Sequence, residues 1–177
     1  VAVSGSPRYL KLDNIDDGSN RRLMFYGIEI NGVVLINHTA IGYDSSGNET
    51  HWYENNLVGS VIGSLPCVEF DGTGDYLSIP NTTDVNFGSG DFTVECWAYF
   101  TSVTSETVVG QWENAAGRRS WLLQVNSGVL TAYLSPDGSS SGMLAISSAA
   151  GAITTGQWYH LAFARDGNDM RMFIDGV

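Results

Sequence analysis

Apolar and polar residues alternate with period two in many short segments of the chain, and turns rich in glycine separate these segments. Such segments, repeated about every ten residues, predict an all-β sandwich of short strands with one buried face. The chain shows no long amphipathic helical pattern and no apolar run that could span a bilayer, so we expect no membrane insertion. The predicted strands after the N-terminal part are 67–71, 75–79, 92–100, 107–112, 120–126, 129–135, 143–148, 157–165 and 169–174.

The last two predicted strands show the clearest alternation. Large apolar residues occupy the odd-numbered positions from 159 to 163, whereas the even-numbered positions from 158 to 164 carry Trp, His, Ala and Ala. Asp166-Gly167 follows, and Asp-Gly between two alternating segments is typical of a β-hairpin turn. A second such turn begins at Asp175-Gly176, and we expect a strand to open at Val177, so that the sandwich is truncated at this end.

The N-terminal part of the chain is organised differently. Residues 1–36 hold three strand-like segments, and Asn31-Gly32 between the second and the third predicts a type I′ β-hairpin. Three strands bury no core alone, so this hairpin block must pack either on the following domain or on sequence upstream of Val1. Residues 37–65 are polar and rich in turns, and we expect them to be a linker to the main domain at 66–177.

The chain carries a formal net charge of −11, although only 15% of its residues are charged. Such an acidic surface repels phosphate backbones, so we expect no nucleic-acid partner. Solubility explains the charge most simply, and a requirement for divalent cations or a salty environment are the alternatives. Strand parity places Cys67 outward and Cys96 inward, which predicts two free cysteines because a disulfide needs closely facing Cβ atoms.

Four motifs occur in a fixed order in the main domain. They read FDGTGDYLSIP at 70–80, GDFTVECW at 90–97, GQWYHLA at 156–162 and FIDG at 173–176. On these motifs, residues 67–177 resemble the laminin-G-like, concanavalin A-like lectin/glucanase superfamily. The resemblance implies a jelly-roll sandwich of two curved antiparallel sheets, with several more strands after the last motif.

A second resemblance covers the N-terminal part. The hairpin IEINGVVL at 28–35, followed by the polar segment at 44–57, is similar to a segment of tail, fibre and other virion proteins of marine bacteriophages. In those proteins the segment often precedes a laminin-G-like domain. The resemblance implies that residues 1–36 are the closing strands of an upstream sandwich and that the protein lies on a virion surface, outside the cell.

Catalysis is the first candidate activity, because the superfamily includes glycoside hydrolases. Those enzymes place acidic residues at alternating positions of one strand, and a retaining mechanism needs two carboxyl groups about 5 Å apart. The corresponding strand here carries Glu95 alone, while Glu106 and Glu113 lie apart and near predicted turns. We therefore expect no enzymatic activity, and a glycosidase fragment whose acids lie beyond Val177 is a remote alternative.

Metal binding is the second candidate, because laminin-G-like relatives often hold calcium at a sandwich rim. Calcium prefers several carboxylate and carbonyl oxygens. Asp71 and Asp75 flank a glycine-rich turn and Asp91 precedes the next strand, so these three are the candidate ligands. The alternative, which we favour, is that Asp71 caps a turn by accepting backbone N–H bonds. We expect no other cofactor.

Glycan binding is the third candidate, because lectin-like sites stack aromatic rings on the apolar faces of sugars. Trp121 shares its strand face with apolar residues and is expected in the core. Trp112 lies at a strand end and Tyr133 shares a face with Thr131, so Trp112 and Tyr133 are the candidate exposed rings. We expect His160 to be a structural, hydrogen-bonded residue and not a ligand-binding one.

Together these patterns favour a non-enzymatic structural or adhesive protein of a virion exterior, such as a phage fibre, tail or capsid-surface component. Its expected partners are other virion subunits, further copies of itself and a cell-surface glycan. The alternative is a secreted or cell-surface bacterial carbohydrate-binding module or adhesin. A truncated sandwich has open sheet edges, so we also expect the isolated chain to be poorly soluble or oligomeric.

Overall fold

The computed structural model describes residues 9–13, 23–30, 33–37, 53–55, 58–62, 65–80, 87–113 and 117–177. These residues form fourteen β-strands, and no helix among them is long and apolar enough to cross a membrane. In chain order the strands are β1 (Tyr9–Asp13), β2 (Leu23–Ile30), β3 (Val33–Asn37), β4 (Tyr53–Asn55), β5 (Val58–Ile62), β6 (Leu65–Phe70), β7 (Tyr76–Pro80), β8 (Phe92–Phe100), β9 (Ser105–Trp112), β10 (Arg119–Asn126), β11 (Val129–Leu134), β12 (Leu144–Ser147), β13 (Trp158–Asp166) and β14 (Asp169–Ile174).

The described strands form two antiparallel sheets. Sheet A has the strand order β12-β11-β10-β9-β1-β7-β4, and sheet B has the order β14-β13-β8-β2-β6-β5, with β3 beside β2. The inward side chains of both sheets belong to one apolar cluster, so the sheets pack face to face. The predicted all-β antiparallel sandwich is therefore confirmed.

The core follows from the period-two alternation of the strands. In β8 every second residue from Phe92 to Phe100 is buried, and the residues between them are at least partly exposed. Trp121, on β10, is fully buried and stacks on Phe87, with ring centroids 5.1 Å apart. Full burial of one large apolar side chain stabilises a fold by about 1.5–3 kcal/mol, so this inner layer is the main source of stability.

The predicted C-terminal hairpin is present as β13 and β14. Asp166 pairs with Asp169, and Gly167 in the turn between them has a φ of 58°, which a glycine adopts without strain. The N–H of Gly167 donates to Oδ1 of Asp91 over 2.7 Å. This bond fixes the turn to the segment before β8. The predicted faces are also confirmed, because the odd-numbered residues from 159 to 163 lie in the core.

The N-terminal strands pair with strands of the main domain, which is one of the two alternatives that the sequence left open for the hairpin block. β1 lies between β9 and β7 in sheet A, and β2 lies between β8 and β6 in sheet B. The expected linker contributes β4 and β5, which pair with β7 and β6. Backbone groups of central strands need a partner on both sides, and β1 and β2 supply those partners within this sandwich. β2 and β3 pair as the predicted hairpin requires, while Asn31-Gly32 lies outside the described residues.

Both cysteines are free, as predicted, and the strand β2 separates β6 from β8. Cys67 was expected to face outward, yet it is buried like Cys96, although it lies outside the core cluster. Burial, together with the neighbouring Glu95 carboxylate, raises the pKa of the Cys96 thiol well above its ordinary value. Cys96 is therefore a protonated, unreactive core residue at neutral pH.

Candidate functional site

The outer face of sheet B carries the most open aromatic ring. Trp97, on β8, is 45% exposed, and no other aromatic side chain described in the structure is exposed to that degree. Its neighbours Cys96 and Ala98 point into the core, so the alternation of the strand forces the indole outward. A single exposed ring is common on protein surfaces, so the residues around Trp97 decide whether it belongs to a binding surface.

Four further residues surround this ring on β8 and β13. The ring of His160 lies across the strand pair with its centroid 5.3 Å from that of Trp97, at an angle of 51°. Nε2 of His160 lies 2.9 Å from Oε2 of Glu95. The next pair, Tyr99 and Trp158, packs edge to face at 5.6 Å. We refer to these five residues as the Trp97 face.

Small residues border the Trp97 face. On the side away from β13, Gly27 of β2 pairs with Trp97 and brings no side chain to the ring. Ala162 occupies the position opposite Glu95 on β13. Two hydrogen bonds with Asp175, each 2.8 Å long, hold the backbone of β13 here. The backbone N–H of His160 donates to Oδ1 of Asp175, and the backbone N–H of Asp175 donates to the carbonyl of His160. The indole therefore stands on a rigid sheet, and its direct partner on β2 is a glycine.

The predicted glycan residues lie on the outer face of sheet A. Trp112 on β9 and Tyr133 on β11 flank β10, and their ring centroids are 6.1 Å apart. The guanidinium carbon of Arg119 lies 5.9 Å from the Trp112 ring centroid. The structure thus brings Trp112 and Tyr133 together, as a half-buried cluster in which Arg119 stacks on one ring. We refer to these three residues as the Trp112 face.

The three candidate calcium ligands do not form one site. Oδ1 of Asp71 accepts the N–H of Thr73 over 2.8 Å, and Oδ2 of Asp75 accepts the N–H of Asp71 over 2.6 Å. Asp75 is buried, and Asp91 is bonded to the β13–β14 turn instead. Within the described residues, no three His, Cys, Asp or Glu side chains are grouped so as to hold a metal ion. Asp71 therefore has the turn-capping geometry of the favoured alternative, and the set does not fit calcium.

A cleft of about 130 Å³ lies near one end of the sandwich, between the start of β10 and the β13–β14 turn. The most polar group in its lining is Arg165. Its guanidinium donates to the carbonyls of Gly88 and Gly90 and lies 5.3 Å from the ring centroid of Phe92. These contacts make Arg165 a structural residue that joins β13 to the segment before β8.

Sequence reasoning did not select Trp97, although a signal for it was present. The inward parity of β8 was recognised from its apolar residues, and that parity places Trp97 on the opposite side. Its partner His160 was assigned a structural role, which the contact with Glu95 fits. The cross-strand register, which places Trp97 beside His160 and Gly27, cannot be predicted from alternation along one strand.

Double-sheet antiparallel jelly rolls are among the architectures that lectin domains use. A family model described as the Concanavalin A-like lectin/glucanases superfamily matches residues 71–177. The chain belongs to this superfamily, through a laminin-G-like domain. No curated protein and no solved structure matches the chain.

Proposed function

We propose that this chain is a non-enzymatic carbohydrate-binding and adhesion module that stacks a sugar on Trp97. The observation that carries the proposal is the exposed indole of Trp97, held between His160 and the open position at Gly27. Membership in a superfamily of lectins and glucanases supports a sugar as the ligand. An aromatic ring offers a flat apolar surface on which the C–H face of a pyranose packs while its hydroxyl groups stay hydrated.

The neighbouring residues have complementary roles in this proposal. Glu95 accepts hydrogen bonds from sugar hydroxyl groups, and the contact with His160 holds its carboxylate in place. Tyr99 and Trp158 pack against each other and extend the platform along the strands. Because β8 and β13 are paired over eight positions, the platform is preorganised, and binding costs little ordering of the protein.

The positions of the acidic residues support a binding function without hydrolysis. Among the described outward side chains of β8 and β13 near Trp97, Glu95 is the only carboxylate, and it is engaged by His160. On the other neighbouring strand, β2, the backbone partner of Glu95 is Glu29. Glu113 is paired with Arg118 at 2.9 Å, at the end of β9 in the other sheet. A retaining glycosidase would need a second carboxyl group about 5 Å from the first. Hydrolysis assays on a panel of β-glucans test this part of the proposal, with no product expected.

We further propose that the module is displayed on a virion exterior, as a fibre, tail or capsid-surface component of a marine tailed phage, among other subunits and copies of itself. The resemblance of residues 28–35 and 44–57 to virion proteins supports this location. Of the second segment, only Tyr53–Asn55 lies within the described residues. Electron microscopy of the source particle tests the location, because a virion component occupies symmetry-related positions. Absence from the particle and presence on a bacterial surface would favour the alternative, a secreted or cell-surface adhesin.

A glycan array tests the binding function directly. The wild-type chain is expected to bind at least one class of glycan, and Trp97→Ala is expected to lose that binding. Trp112→Ala is the matched control, since it removes an indole from the opposite face of the sandwich. Binding is expected to be the same with calcium and with a chelator. Loss of binding in Trp112→Ala with retention in Trp97→Ala would move the site to sheet A.

A further inference from the structure

We infer that the Trp97 face selects uncharged glycans and rejects glycans that carry carboxylate or sulfate groups. This inference rests on the proposed function and adds the class of ligand to it. It follows from the charged side chains around the Trp97 ring. The Glu95 carboxylate lies beside the ring, whereas the nearby arginine side chains form their contacts at the turn of the β13–β14 hairpin.

Two acidic side chains flank His160, the cross-strand partner of Trp97. The carboxylate of Glu95 lies on the same outer face as Trp97, two residues away along β8, which is about 7 Å. Asp175 lies on the other side of His160 and is bonded to its backbone N–H over 2.8 Å. A sugar that stacks on the indole therefore lies within reach of the Glu95 carboxylate, and Asp175 adds a second negative charge beyond His160.

The two arginine side chains of the β13–β14 hairpin are engaged away from the Trp97 ring. Arg165 of β13 is turned to the carbonyls of Gly88 and Gly90, away from the Trp97 face. Arg171 of β14 lies 3.4 Å from Asp169 and 3.8 Å from Asp166, at the hairpin turn.

Both guanidinium groups are thus occupied at the turn end of the hairpin. Among the described residues of β8, β13 and β14, His160 is the one remaining basic side chain, and it faces Glu95. Within these three strands, therefore, no described cation is directed to the Trp97 face to pair with an acidic sugar.

Charge repulsion at the Trp97 face is expected to change the affinity for acidic sugars by a modest factor. Two like charges about 4 Å apart in water repel by an amount that corresponds to roughly a fivefold change in affinity. The net charge of −11 adds a longer-range repulsion that slows the approach of any anion. An uncharged sugar experiences neither effect and keeps the stacking contact and the hydrogen bonds to Glu95.

The experiment compares two glycans that differ only at C6, which is a hydroxymethyl group in one and a carboxylate in the other: a neutral hexose oligomer that the array identifies, and the uronic acid oligomer of the same linkage and ring stereochemistry. Isothermal titration of the wild-type chain at low salt is expected to show roughly fivefold or greater preference for the neutral oligomer. Added salt is expected to narrow the preference, because it screens the exposed charges.

Two variants assign the preference to its source. Glu95→Gln removes the charge and keeps an oxygen acceptor, so the ratio of the affinities for the two oligomers is expected to fall to within about twofold, whatever loss of affinity both oligomers share. Glu113→Gln is the control on sheet A and is expected to leave the preference unchanged.

The outcomes separate the two proposals. If the wild-type chain binds no glycan of any charge, the proposed function fails. If it binds the acidic oligomer as tightly as the neutral one, or more tightly, the function stands and the charge selection is overturned. The salt titration needs no variant, so it remains decisive even where Glu95→Gln perturbs His160.

Discussion

The two aromatic clusters on the outer faces of the sandwich differ in how their rings are used. On sheet A, Trp112 contacts Tyr133 and lies under Arg119, so side chains of the protein itself cover part of its ring. On sheet B, the described ring in contact with Trp97 is that of His160, and the backbone partner of Trp97 on its other side is a glycine. Both positions face outward, yet only Trp97 keeps nearly half of its surface in solvent, at 45%.

The difference shows that a ring can point outward from a sheet and still be inaccessible to a ligand. Strand alternation decides whether a ring faces solvent, whereas the cross-strand neighbours decide whether it is covered. Arg119 is the direct partner of Trp112 in the β9–β10 ladder, and Gly27 is a direct partner of Trp97. A covered ring contributes to stability, and an uncovered one is free to bind.

The largest expected effect is on ligand affinity. Trp97→Ala is expected to weaken glycan binding tenfold to hundredfold, about 1.4–2.7 kcal/mol, because the stacking surface is lost. The same substitution is expected to lower the free energy of unfolding by about 1 kcal/mol or less, since nearly half of the side chain lies in solvent. Isothermal titration and chemical denaturation measure the two quantities. Unchanged affinity in a folded Trp97→Ala variant would contradict the assignment of the site.

The second prediction concerns the close packing of sheet A. Gly110 lies two residues before Trp112, and a Cβ there would approach Cδ1 of Leu122 to 2.8 Å and the carbonyl oxygen of Trp121 to 2.9 Å. Since the second contact is with backbone, Gly110→Ala is expected to destabilise the fold by about 1–2 kcal/mol. Gly142→Ala is the control, because its Cβ would lie 3.6 Å from the nearest atom, an ordinary contact. Chemical denaturation compares the two variants, and equal stabilities would refute the prediction.

The third prediction concerns the ring pairs. A double-mutant cycle on Trp112 and Tyr133, with alanine at each position, is expected to give a coupling energy of about 0.5–1.5 kcal/mol in the free energy of unfolding. Tyr99 and Trp158 form the corresponding pair on sheet B and are expected to give a similar value. The control cycle combines Trp97 and Tyr133, which lie on opposite faces, and should show no coupling. A coupling near zero for Trp112 and Tyr133 would mean that the ring contact does not stabilise sheet A.

The sequence predicts the fold better than the site for a physical reason. Alternation is a local property, so the strands from β8 to β14 and the inward faces of β8 and β13 follow from it. Strand order depends on pairing between distant segments, so the sequence left open whether the N-terminal strands pack on this domain and did not give the positions of β1 and β2 in the sheets. The site depends on that order as well, because β2 and β13 supply the residues on either side of Trp97.

The smallest expected effect is at Cys96, which adjoins Trp97 on the opposite side of β8. Burial and the nearby Glu95 charge raise the pKa of its thiol, so the native state holds the proton that the unfolded thiol releases near its ordinary pKa of about 8.5. The native state then binds more protons than the unfolded state above that pH, and Cys96 makes stability fall as the pH rises. Below that pH the thiol is protonated in both states and has no effect.

Cys96 therefore reports whether changes on the outer face reach the core. Iodoacetamide at a pH near 8.5 is expected to leave Cys96 unmodified in the wild-type chain and equally in Trp97→Ala, and to modify it in denaturant. Mass spectrometry of the peptide that contains Cys96 measures the extent of modification. Rapid alkylation in Trp97→Ala alone would show that the indole protects the core, and the loss of glycan binding in that variant could then no longer be ascribed to the removed ring itself.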